Sequence, residues 1–373
     1  MNIAIIEKGH FEVCHTLLQL LGAGDNSITV FIDADAQRQL DLMGSSNNAA
    51  VNWVIQQPDE PNRAFIRRSF QQIESGDFDL LYLATVSDNF LFYARNIRRL
   101  RHSIVVLTLH DINNFFCPPA RYDPRSLLRW FGKRTLEKQV HAYTVLSETL
   151  RTAAEKNSGG KPVHVVSGSL FDEVNYIPVS YHRDEPIRIV VPGSVDERRR
   201  NYEIVFGFLK CAEEQHLPVE VTLLGSFAAQ FSDHTQSMVR WYLQRSTNLH
   251  VYEGHVDQPL FDAEIRKAHF IWTPVQPVTV IHDGIAEQYG VTTVSGNMAD
   301  IIRHARPYFA PHFLKTEEAL RSSGIFYQKI DDLLHFLRQL TPEKYQQWLG
   351  QAHRASMNYS RERVLTANPW LFN

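Results

Sequence analysis

Val179-Ser180-Tyr181-His182-Arg183-Asp184-Glu185-Pro186-Ile187-Arg188-Ile189-Val190-Val191-Pro192-Gly193 decides how this sequence divides. The polar, proline-bounded first half reads as a linker, and the apolar run Ile187 to Val191 that follows reads as the opening strand of a new sheet. The sequence therefore predicts a first domain over 1–178, a second over 187–341, and a helical tail over 342–373 that returns to pack on the first domain. A chain of 373 residues, 44% of them hydrophobic, has material for two cores.

Before the linker, short β-rich runs alternate with helical stretches. Ile3 to Ile6, Ile28 to Ile32, Val51 to Ile55, Leu80 to Leu83, Ile104 to Leu109, Tyr143 to Leu146 and Val163 to Val166 are the predicted strands. After it come Val219 to Leu224, His250 to Tyr252 and Phe270 to Thr273. Strand and helix in alternation imply parallel sheets covered on both faces. Such sheets place ligands in the crevice beyond their strands' carboxyl ends, so the function belongs in the loops after the strands.

Those loops hold the candidate residues. Gly193 closes the first strand of the second domain, and Arg198, Arg199 and Arg200 follow at an expected helix start, where guanidinium groups suit a diphosphate. Three adjacent arginines are otherwise an ordinary solvated charge run. Gly225 closes the next strand, and Tyr252-Glu253-Gly254-His255-Val256 closes the one after. Glu287-Gln288-Tyr289-Gly290 comes later, followed by Ser295-Gly296, where Ser295 is a plausible N-cap for a helix running through Ile302. In the first domain Thr108-Leu109-His110-Asp111 ends the fifth strand, and His10 follows the first.

This order resembles the C-terminal half of retaining GT-B glycosyltransferases, from about Ile187 to Pro311. The resemblance implies an α/β chain of two Rossmann-like domains facing across a cleft. It implies a nucleotide-sugar donor, UDP- or GDP-linked, used as substrate without a separate cofactor or metal. Gly193, Arg199 and Arg200 correspond to the diphosphate-binding turn. Gly254, His255 and Val256 match a Phe-x-Gly-x-Val motif, and Tyr289, Gly290, Ser295 and Gly296 lie along the donor. Glu287 stands at the first of two glutamates with seven residues between them, so it is expected to contact the donor sugar. Ser295 occupies the place of the second, which commonly binds ribose hydroxyls. The stretch from Pro274 to Glu287 is longer than in the family and contains Asp283 and Gly284. His110 is the expected catalytic histidine beside the sugar, with His10 as its rival, since inverting members often keep a base there. The implied activity is sugar transfer to a glycan or lipid-linked acceptor in bacterial surface polysaccharide or glycoconjugate assembly. A nucleotide-sugar epimerase or hydrolase on the same fold, or a non-catalytic subunit, remains the alternative.

Composition bounds the partners. A net charge of −3 gives no global field for nucleic acid. Cys14, Cys117 and Cys211 are far apart, which fits a reducing, cytoplasmic setting, and no apolar run is long enough to span a membrane. Over 125–134, Arg125, Arg129, Lys133 and Arg134 interleave with Leu127, Leu128, Trp130 and Phe131. That segment reads as a basic amphipathic helix, either lying on an anionic membrane or covering the core with its charges outward.

Overall fold

The computed structural model describes residues 1–22, 25–45, 51–100, 103–120, 122–229, 232–252, 254–280 and 283–371. Two parallel sheets organise them. The first contains β1 (Asn2–Ile6), β2 (Ser27–Ile32), β3 (Val51–Ile55), β4 (Leu80–Leu83), β5 (Ile104–Leu109), β6 (Ala142–Val145) and β7 (Val163–Val165), in the order β3-β2-β1-β4-β5-β6-β7. The second contains β8 (Ile187–Pro192), β9 (Val219–Leu224), β10 (Leu249–Val251) and β11 (Phe270–Trp272). After β12 (Val278–Val280) and β13 (Ala286–Gln288), which form a separate antiparallel hairpin, it is completed by β14 (Tyr308–Pro311) and β15 (Gly324–Tyr327). Its order is β10-β9-β8-β11-β14-β15.

Most central strands are apolar throughout because helices cover both faces. Ile3 and Ile5 point into one core of the first sheet, while Ala4 and Ile6 point into the other. In the second sheet Ile189 and Val191 face one core and Val190 faces the opposite one. Strand order reverses between β1 and β4 in the first sheet and between β8 and β11 in the second, so each sheet has a crevice at that point.

The linker leads straight into β8. At the other end of the chain, the helix Pro342–Ser356 packs Tyr345 and Leu349 into the second domain. The helix Arg361–Ala367 then crosses to the first, where Val364 joins the cluster around Leu17 and Leu21. Trp370 stacks on His164 with ring centroids 4.2 Å apart.

The long stretch after Pro274 is the hairpin β12–β13, at whose turn Asp283 and Gly284 both have positive φ. It reaches the first domain: the Asp283 carboxylate pairs with Arg129 at 3.0 Å and Lys133 at 3.3 Å. This fixes the orientation of the helix Pro124–Glu137. Lys133 is buried and Arg129 mostly so, whereas Leu127, Leu128 and Phe131 are exposed. The expectation of a core-covering helix with its charges outward thus holds for Arg125 and Arg134 but not for Arg129 and Lys133, which the inward carboxylate of the hairpin draws in.

Candidate active site

A buried carboxylate organises the carboxyl end of the first sheet. Glu7 follows β1, and its Oε1 accepts the backbone N–H groups of Gly9 (2.5 Å) and His10 (2.6 Å). Its Oε2 accepts the Thr85 hydroxyl at 3.0 Å. His110 Nε2 lies 2.9 Å from the Ala84 carbonyl and 3.2 Å from Thr85 Oγ1. A carbonyl only accepts, so Nε2 carries the proton and Nδ1 is left as the basic nitrogen. The rings of His10 and His110 stack 4.3 Å apart. Glu7 thus holds His10 through its amide and His110 through Thr85. Burial raises the Glu7 pKa to about 7. Desolvation, with the His110 and Arg199 charges, lowers that of His10, and desolvation also lowers His110, so both imidazoles are neutral.

Arg199 belongs to the opposite domain, and its charge adds to the lowering of the His10 pKa. Its guanidinium is half-exposed, with Asp196 Oδ2 3.7 Å from Nε. Arg200 is different. It is buried, giving Nη1 to the Ser194 carbonyl (2.7 Å) and Nη2 to the Pro192 carbonyl (2.6 Å) and Asn297 Oδ1 (2.9 Å). Arg200 thus ties the Gly193 turn to the start of the helix Asn297–His304, and its burial among these acceptors departs from the expected pairing with a diphosphate; Arg199 is the more exposed of the two. Neither arginine is in a helix, which begins at Tyr202 with Asn201 as N-cap.

The glycine turns have steric reasons. Gly193 has φ +87°, and a Cβ on Gly225 would stand 2.5 Å from the Gly193 carbonyl. The two turns therefore touch backbone to backbone. Gly290 has φ +74° and lies against the backbone of Lys315.

Gly296, not Ser295, is the N-cap of the helix Asn297–His304, and no atom lies within 4 Å of where its Cβ would be. Ser295 Oγ accepts from the Asn297 N–H at 3.4 Å. This helix start and Asn297, which fixes Arg200, sit on one side of the second crevice. Tyr289 is buried in the adjoining core, with its hydroxyl under the influence of Arg199, Arg200, Asp111 and Asp196.

Glu287 also departs from expectation. It is buried in β13, with Oε1 2.6 Å from the Asn114 N–H and Oε2 3.3 Å from that of Asn113. Those amides begin the helix Ile112–Phe116 of the first domain, so a carboxylate of one domain caps a helix of the other. The Ile112 N–H bonds the Thr292 carbonyl beside it at 2.9 Å. Both Glu287 oxygens are engaged by protein, and its expected contact with sugar hydroxyls gives way to an interdomain cap. Burial raises its pKa to about 7.

His255 also bridges domains: Nε2 is 3.1 Å from Gln39 Nε2, while Asp257 pairs with Arg38 at 3.1 Å. Val256 packs on the second domain's core, Gly254 is open, and Glu253 lies outside the described residues.

The sequence reading missed Glu7, Thr85 and Asn297, although an acidic residue ending an apolar strand and followed by Lys8-Gly9 was visible as an anomaly. It also missed Glu12 and Asp300. Burial raises both, with Asp300 reaching about 7, and each feels the other's charge or that of Arg303 across the domain boundary.

No family model matches the sequence, and no curated protein aligns with it. Solved structures share its arrangement. HepE of Anabaena, solved with UDP and glucose, superposes with a TM-score of 0.65 at 14% identity over 100% of this chain and 98% of its own. The N-terminal domain of Candida albicans trehalose-6-phosphate phosphatase gives 0.63 at 11% identity over 99% and 95%. The UDP-forming alpha,alpha-trehalose-phosphate synthase of Burkholderia xenovorans gives 0.57 at 10% over 99% and 97%. Two parallel-sheet domains in this order, matching those chains along nearly their whole length, define the GT-B fold.

Proposed function

We propose that this chain is a glycosyltransferase that moves a sugar from a UDP- or GDP-sugar to a glycan or lipid-linked acceptor, with retention and without a divalent metal. The observation that carries the reading is the stacked His10–His110 pair, anchored on Glu7 at the carboxyl end of the first sheet, in a chain whose two parallel sheets share the GT-B arrangement. A departing diphosphate needs fixed positive charge, and Arg199 with the open helix start at Gly296 supplies it. The acceptor hydroxyl and donor sugar need neutral hydrogen-bonding groups, and the two imidazoles supply those. Gly193 and Gly225 let the two strand-end turns meet backbone to backbone, and Arg200 keeps the first turn in shape. HepE, solved with UDP and glucose on the same fold, supports the donor class. The order of the motifs in the second domain supports retention, which the anomeric coupling of the product reads directly. Three free cysteines fit a cytoplasmic setting.

A thermal-shift panel of UDP, GDP, ADP and CMP sugars tests the proposal. A uridine or guanosine sugar nucleotide should raise the melting temperature of the parent and have a much smaller effect on Arg199→Ala. Stabilisation by none of the four would overturn it.

A further inference from the structure

We infer that the outward face of the helix Pro124–Glu137 is a docking surface for an anionic lipid bilayer. Leu128 is 59% exposed, Phe131 57% and Leu127 38%, and Tyr122 just before the helix is 74% exposed. These apolar groups project from one side of a helix whose opposite side carries Gly132, Lys133 and Leu136 into the protein. Gly132 lets the neighbouring helix Phe90–Ile97 approach closely: a Cβ there would stand 2.9 Å from the Leu91 nitrogen. The helix is therefore held rigidly, and its apolar side remains uncovered. Adjacent exposed leucine and phenylalanine on a soluble surface mark an interaction site.

Charge selects the partner. Of the five basic side chains in residues 122–138, Arg129 and Lys133 turn inward to Asp283, which leaves Arg125, Arg134 and Lys138 at the surface. Of the two acids there, Glu137 pairs with Arg134, and Asp123 caps the helix through its own amides. Arg125 on this helix and Lys138 at its end are exposed. An apolar face flanked by Arg125, Arg134 and Lys138 fits the headgroup boundary of an anionic leaflet, where the apolar side chains enter the acyl region and the cations meet phosphates. Among the described residues no helix can cross a membrane, so the contact is peripheral.

The inner side of the same helix fixes Asp283 and the carbonyl of Asn114, next to the Glu287 cap. Docking would thus place the interdomain cleft beside the bilayer. The inference deepens the reading of a lipid-linked acceptor and rests on it for its purpose, but bilayer binding is measured without any donor.

Co-sedimentation of the full chain with phosphatidylcholine vesicles, with and without phosphatidylglycerol, tests it. Binding should be at least tenfold stronger to the anionic vesicles. A Leu128→Gln, Phe131→Gln double variant should reduce that binding about tenfold or more, and Arg125→Gln about fivefold, both with unchanged thermal-shift response to nucleotide sugars. No binding to anionic vesicles, or binding unaltered in the double variant, would overturn it. So would a parent dimer in sedimentation velocity that the double variant converts to monomer without any vesicle binding, which would assign the face to a second copy of the chain. A nucleotide-sugar panel that fails while vesicle binding holds would refute the donor reading alone.

Discussion

At pH 6 the buried Glu7 carboxyl keeps a proton that the unfolded chain has largely released, because folding raises its pKa from the ordinary 4.5 to about 7. A raised acid pKa contributes stability in full below about pH 4.5, and that stability is lost as the pH climbs through 7. Glu287 is shifted in the same direction to about the same value. The stability that these two carboxyls contribute should therefore fall between pH 5 and 8, opposing His10 and His110, whose lowered pKa values favour the folded chain as the pH rises toward 6.5. Glu7→Gln should flatten part of the fall, up to roughly 3 kcal/mol, since an amide has no charge to desolvate and its oxygen still accepts from Gly9 and His10. Melting curves of both proteins check this, and a variant profile parallel to the parent would count against it.

The two neighbouring arginines should separate just as cleanly. Arg199→Ala should weaken nucleotide-diphosphate binding by about 1.5–3 kcal/mol while leaving nucleoside binding and stability nearly unchanged. Arg200→Ala, which strips three hydrogen bonds from a buried turn, should lower the melting temperature. Calorimetry with UDP and uridine, alongside melting curves, distinguishes them. The sequence placed both arginines at the right turn but could not rank them. Consecutive residues in a turn have no periodicity that says which faces the cleft, and Arg200's partner Asn297 is 97 positions away.

The hairpin β12–β13 acts at the scale of elements. It was legible only as extra length after Pro274, because its purpose depends on residues of the other domain. Glu287 reaches amides some 173 positions away, which no local pattern reveals. In the same way, the interleaved basic and apolar residues of 125–134 showed an amphipathic helix but not which stripe faces inward. The Asp283 carboxylate decides that. What was legible was the alternation of strand and helix and the glycine turns, since these depend on neighbours in sequence.

Glu287→Ala would leave the first amides of the helix Ile112–Phe116 without their carboxylate. It should cost about 1–3 kcal/mol and lower kcat, with little change in affinity for the bare diphosphate. Glu287→Gln, which retains one acceptor, should recover part of both. Normal turnover by the alanine variant, with an unchanged melting temperature, would remove the cap from the account. Gly225→Ala should be destabilising by about 1–3 kcal/mol, because the Gly193 carbonyl stands 2.5 Å from the new methyl group. Chemical denaturation measures it.

For the whole molecule, two parallel sheets turn their switch points toward one another and are joined by the linker, the hairpin and the returning tail. On the proposed function, the acting groups come from both halves: His10 and His110 from the first, Arg199 and the Gly296 helix start from the second. Neither domain alone assembles that site, so transfer by this route would require both to close on a donor. The GT-B fold leaves the chemistry open, as transfer, epimerisation and hydrolysis all begin with a bound sugar nucleotide. The decisive measurement is product analysis of the sugar nucleotide that gives the largest thermal shift, incubated with the parent protein in the presence and absence of a glycolipid acceptor fraction. Nucleoside diphosphate release matched by glycosylated acceptor is expected, with intact donor when acceptor is omitted. Donor converted or hydrolysed at the same rate without acceptor, or untouched in both incubations, would contradict the proposed transfer.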